Sequence, residues 1–190
     1  MEKSHQLLLK GTAYWAHTDS PEMYQGNALG YSIMVKLDSD EATEKLKNRL
    51  EEIFNEAEGE LATKVNRKYP VNLGVKEDTK YGECFKAKTK HEFKDKATGE
   101  LIKRKLHVFK ANGEPLEAGT KIGNGSKVQV KVLAEPYAMS SKNYGITLRL
   151  LAVKVDNLIE YNSGKTAEDY GFDMDVEGAD TFEDSEAVEF

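Results

Sequence analysis

Lys86, Lys88 and Lys90 stand two residues apart. On a strand, side chains alternate, so all three ammonium groups project from one face, ~7 Å apart. Such a row can follow a phosphate backbone, and its binding weakens with salt because each neutralised phosphate releases counterions. The row belongs to a larger concentration: ten residues are basic and four acidic between Lys80 and Lys110. Lys127, Lys131 and Arg149 add cations on two later strand-like segments. The same pattern also suits a solvated face that keeps an edge strand from pairing with other chains. Aromatic residues lie among the charges: Tyr14, Trp15, Tyr24, Tyr31, Tyr81, Phe85, Phe93, Phe109, Tyr137 and Tyr144. Single-strand binders need flat rings for base stacking beside a basic groove. Most of these rings belong in a core. Tyr137 (after Glu135-Pro136), Tyr144 (before Gly145) and Trp15 (at a strand end) combine a turn position with a polar tip, and they are the better stacking candidates.

Catalytic patterns are missing. His5, His17, His91 and His107 do not pair with each other or with Cys84 at a zinc-ligand spacing. Cys84 sits in a predicted strand beside Phe85 and reads as a core cysteine. Gly123-Asn124-Gly125-Ser126-Lys127 has the look of a phosphate loop. However, Asn124 stands where that motif needs its second glycine after Gly119, Ser and Lys are reversed, and a strand follows instead of a helix. Asp156 and Glu160 have no partners for acid–base work. The expectation is a binding protein, not an enzyme, with no catalytic residue, metal or cofactor.

The elements that must position these residues follow from periodicity. Leu7 to Tyr14 is an apolar segment broken by Gly11, with a turn cluster at Asp19-Ser20-Pro21. Leu29 to Leu37 reads as a strand with Tyr31, Ile33, Val35 and Leu37 on one face. Asp38 and Glu41 mark a helix start, and apolar residues at threes and fours from Asp40 to about Glu58 give an amphipathic helix that Gly59 can cap. Glu60 to Lys80 is irregular, a long connection with room for a short extra helix. Glu83 to Phe93 is a strand, Thr98-Gly99 a hairpin turn and Leu101 to Lys110 the returning strand. Lys127 to Tyr137 and Tyr144 to Ile159 complete the set. Five to seven strands and one helix suit a small barrel or sandwich, and an inserted helix is compatible with the five-stranded Greek-key barrel, the OB-fold.

Charge divides the chain. It carries 27 basic and 33 acidic residues, a net of −6, which by itself disfavours a nucleic-acid binder. From Ala167 to Phe190 there are ten acids and no Lys or Arg, leaving 27 basic against 23 acidic residues, net +4, in Met1 to Thr166. Residues 1–166 therefore read as one domain and 167–190 as an acidic tail that cannot bury apolar surface and is expected to be disordered. The tail contains Glu183, Asp184, Glu186 and Glu189 before Phe190, whose ring and α-carboxylate a partner pocket with one Arg or Lys could capture. No apolar run is long enough for a membrane span, and no signal sequence opens the chain. A single cysteine fits a reducing cytoplasm.

These features together resemble the single-stranded DNA-binding proteins of T-seven-like podoviruses. The likeness is carried by Gly11-Thr12-Ala13, by Gly26-Asn27 with Gly30-Tyr31, and by Phe85-Lys86-Ala87-Lys88 before a Lys-rich hairpin. It is most specific in the run from Ile122-Gly123-Asn124-Gly125-Ser126-Lys127 to Pro136-Tyr137, and the acidic tail completes it. The resemblance implies an OB-fold that binds single strands without strong sequence preference in a host bacterial cytoplasm. It implies that Tyr137 stacks on a base, that Lys88 meets a phosphate and that Lys3 contributes from the N-terminus. Lys90 stands where the family has an aromatic, which replaces a stacking contact with a charge contact. The tail is implied to compete with DNA for the groove and to dock on the phage DNA polymerase and helicase–primase; a homodimer stays open. Two other classes stand beside this reading. One is an acidic module that mimics DNA and inhibits a host enzyme. The other is a nuclease or recombinase subunit, which lacks an acidic metal cluster in the body.

Overall fold

A computed structural model describes residues 5–61 and 64–160. Lys3, the expected boundary at Thr166 and the acidic tail, with Glu183, Asp184, Glu186, Glu189 and Phe190, lie outside the described residues. Along the chain come β1 (Gln6–Tyr24), β2 (Asn27–Leu37), α1 (Asp40–Leu61), β3 (Val75–Asp78), β4 (Gly82–Thr89), β5 (Glu92–Lys94), β6 (Leu101–Lys103), β7 (His107–Lys110), β8 (Lys127–Ala138) and β9 (Tyr144–Asn157).

Five of these strands close a barrel in the order β1-β2-β4-β9-β8, with β8 returning to β1. The neighbours are antiparallel except β4 and β9, which run parallel through Ala87–Leu148 and Lys88–Arg149. This is the OB-fold topology expected from the element pattern. β3 extends the sheet beyond β4, and β7 extends it beyond β9.

Alternation explains the closure. Ile33 and Val35 on β2, Phe85 and Ala87 on β4, Val130 and Val132 on β8, and Leu148 and Leu150 on β9 are all buried. The residues between them face outward. The helix adds Leu50, Ile53 and Phe54 to the same core, and Phe54 stacks on Tyr144, the first residue of β9, at 5.6 Å.

Several local expectations need correction. The helix is capped by Ser39, whose hydroxyl accepts the Ala42 N–H at 3.1 Å, and not by Asp38. Gly59 does not end the helix, because Leu61 packs against the core one turn past Ala57. Asp19-Ser20-Pro21 does not turn the chain. β1 runs on to Tyr24 and absorbs these residues as an irregularity: from His17 to Glu22 it advances five residues while β2 moves only from Ser32 to Gly30. A second bulge places Trp15 at φ 48°. Residues 64–74 contain no helix; backbone bonds from Asn66 to Ser141 (3.0 Å) and between Asn72 and Ile146 (2.7 Å) tie them to the start of β9. The return strand after Thr98-Gly99 breaks at Leu106, which tucks inward, and its second half leaves as β7 to pair with β9 in parallel. Only β5 and β6 form the hairpin, as a separate two-stranded sheet.

Phe54 is the largest of the three helix side chains buried in the core. Phe54→Ala is expected to destabilise the fold by ~3–5 kcal/mol, the usual cost of emptying a buried aromatic site. Denaturant unfolding measures it; a midpoint unchanged from the parent chain would remove Phe54 from the core.

Candidate nucleic-acid interface

The closing pair determines where the cations go. Ala87 and Leu148 point into the barrel, so Lys88 and Arg149, the adjacent pair, point out side by side. Lys86 follows two residues away on the same face of β4, and Lys90 lies just past its end. These four residues line one groove of about 580 Å³ together with Arg104. Its walls also carry Leu29, Ser32, Thr89, Phe93 and Thr147, and two acids, Glu22 and Glu135. The acids are engaged within the site. Glu135 pairs with Arg149 (Oε1 to Nη1, 3.2 Å), and Glu22 accepts the Ser32 hydroxyl at 3.3 Å. The Arg149 Nε is shielded from solvent without a hydrogen-bond partner.

Arg104 is fixed rather than floating. Its guanidinium donates to the buried Thr89 hydroxyl, and its backbone N–H donates to the His91 carbonyl at 2.6 Å. The guanidinium lies 4.9 Å from the centre of the Phe93 ring.

The other expected residues are distributed around this groove. Tyr137 pairs with Gly145, one outward step along β8 from the Glu135–Thr147 pair that lines the groove. Its hydroxyl accepts from Asn72 Nδ2 at 3.0 Å and donates to Asn143 Oδ1 at 3.3 Å, so it joins the β8–β9 turn to the 64–74 connection. Trp15 is 48% exposed and does not line the groove. It belongs to a separate aromatic patch: its indole N–H donates to Asp78 Oδ2 at 2.9 Å, Tyr81 lies 6.0 Å away, and Tyr81 stacks on Tyr14 at 3.8 Å. Burial, then the neighbouring Tyr81, push the Tyr14 hydroxyl above its ordinary pKa. Lys127 is bonded to Asp38 (3.1 Å) and Thr12 (2.9 Å), and Lys131 sits opposite Leu8 and Ala152; neither lines the groove. Tyr144 is in the core.

Arg104 and Phe93 were not singled out from sequence. The signals were present, since Arg104 is one of the ten clustered cations and Phe93 one of the interspersed aromatics. Leu29, Glu22 and Glu135 had no such signal. Among the described residues no group of three His, Cys, Asp or Glu side chains could hold a metal ion, and no helix is long and apolar enough to cross a membrane.

An OB barrel whose second and third strands, β2 and β4, form a cationic groove has the layout by which this fold holds oligonucleotides. Two solved structures share the fold. One is gp2.5, a single-stranded DNA-binding protein encoded by bacteriophage T7: 23% identity, TM-score 0.65, covering 93% of this chain and 100% of that one. The other is the single-stranded DNA-binding protein from bacteriophage Enc34: 19% identity, TM-score 0.52, covering 90% and 92%. The fold thus agrees with the family resemblance seen in the sequence. No family model and no curated protein matches the chain.

Asp78 holds the Trp15 patch in place. Its carboxyl lies below its ordinary pKa, first through the N–H of Tyr81, then that of Lys80, then the Trp15 indole. Because the folded value is depressed, this stabilisation is complete above the ordinary carboxylate range and is lost as pH falls through the lower folded value. Emission from Trp15, the one tryptophan, is expected to shift over that acidic window and to lose the step in Asp78→Asn. A step that persists in the variant would assign the titration elsewhere.

Proposed function

We propose that this protein binds single-stranded DNA in the groove between β2, β4 and β9. It coats and protects the strand during phage DNA replication or recombination in the host cytoplasm. The observation that carries this reading is the convergence of Lys86, Lys88, Lys90, Arg104 and Arg149 on one face of the barrel. The two structural neighbours, both described as single-stranded DNA-binding proteins, add support. Tyr137 borders the groove as a stacking ring; Trp15, Lys127 and Lys131 extend the path onto flanking surface; Lys3 is assigned by resemblance. No step of this function is catalytic.

The domain spans 1–166, and the acidic segment 167–190 is its regulator. Ten acids tethered to a body of net +4 act as a local competitor for the groove. DNA displaces them, and the freed segment around Glu183, Asp184, Glu186, Glu189 and Phe190 docks on the phage DNA polymerase and helicase–primase.

Lys88→Ala is expected to reduce the slope of log affinity against log salt by about one unit on oligo(dT). Lys47→Ala, which breaks the α1 contacts to Glu44 and Glu83 outside the groove, leaves that slope unchanged. Equal slopes for the parent chain and Lys88→Ala would place the strand elsewhere. A chain shortened to Thr166 should bind oligo(dT) more tightly than the full chain at low salt. Equal affinity would rule out competition by the tail, and no binding by either form would favour the DNA-mimic class.

A further inference from the structure

The groove is lined by five cations, yet its lining also carries two exposed apolar side chains: Phe93, 39% exposed, and Leu29, 52% exposed. Phe93 is carried by the β5–β6 hairpin, which pairs with no barrel strand. Its ring takes the Arg104 guanidinium on one side, 4.9 Å from the ring centre. Thr89 and His91 hold Arg104, so that side of the ring is anchored. An exposed ring beside Lys86, Lys88, Lys90 and Arg149 does not suit an apolar protein side chain, which would cover the cations without supplying counter-charge. Nor does it suit duplex DNA, whose bases are stacked on one another. A single strand supplies both a row of phosphates and free base faces.

We infer that Phe93, backed by Arg104, is a nucleobase-stacking platform. On this view a bound strand lies between a phosphate wall (Lys86, Lys88 and Arg149) and a base wall on the β5–β6 hairpin. This rests on the single-strand reading above and adds to it the orientation of the strand and the residue that touches a base.

The test uses the full chain on oligo(dT) and on an abasic deoxyribose-phosphate oligomer of equal length, each across a salt series. Phe93→Ala should weaken oligo(dT) binding roughly 5- to 150-fold, the value of one stack, with the salt slope unchanged. On the abasic oligomer it should bind like the parent chain. Phe93→Trp should restore affinity and, combined with Trp15→Phe, report the stack as quenching of its emission by oligo(dT). Phe93→Ala binding oligo(dT) as tightly as the parent chain, or losing equally on the abasic oligomer, would overturn the inference and leave the single-strand reading standing. If the parent chain binds neither oligomer at any salt concentration, the single-strand reading fails and the stacking role with it.

Discussion

The parallel closure of β4 onto β9 is the constraint on which the rest depends. Two residue pairs make it, Ala87 with Leu148 and Lys88 with Arg149. A closed barrel has one inside, so the small Ala87 and the larger Leu148 fill it and their neighbours have no option but the outer surface. Lys88 and Arg149 come from segments 61 positions apart in sequence, and closure makes them adjacent. Like charges held side by side repel. The fold tolerates them because both reach solvent and because Glu135 on β8 pairs with Arg149.

That arrangement leaves the groove ready for anions but not saturated by its own acids. Five cations face two carboxylates, and one carboxylate is spent on a serine hydroxyl. In water each exposed pair is weak. A polyanion that meets several cations together gains from every counterion it releases. The net charge of −6 conceals this, since the acids concentrated from Ala167 onward outweigh a basic body.

The aromatic residues divide by geometry rather than by type. Tyr144 and Phe85 are core, Tyr14 and Tyr81 stack on each other, and Tyr137, two residues along β8 from Glu135, spends its hydroxyl on two asparagines. Phe93 has no hydroxyl to satisfy. It is 39% exposed on the β5–β6 hairpin, which pairs with no barrel strand, and the Arg104 guanidinium lies against its ring.

The residues themselves determined most of the barrel strands, which face of each is wet, and that one helix interrupts the barrel, because alternation and helical periodicity are local properties; β3 (Val75–Asp78), inside the stretch Glu60 to Lys80 that reads as an irregular connection, had no such signal. The Lys86-Lys88-Lys90 row was legible for the same reason. Three kinds of feature were not. The bulges that absorb Asp19-Ser20-Pro21 and lift Trp15 into φ 48° depend on what β2 offers opposite them. The departure of β7 from the hairpin depends on Leu106 finding a buried site. The partnership of Lys88, Arg149 and Arg104 depends on closure, which brings distant positions together through hydrogen bonds that carry no local sequence signature. Charge and period can be read along a chain, but which cations share a groove is decided only where strands far apart in sequence meet.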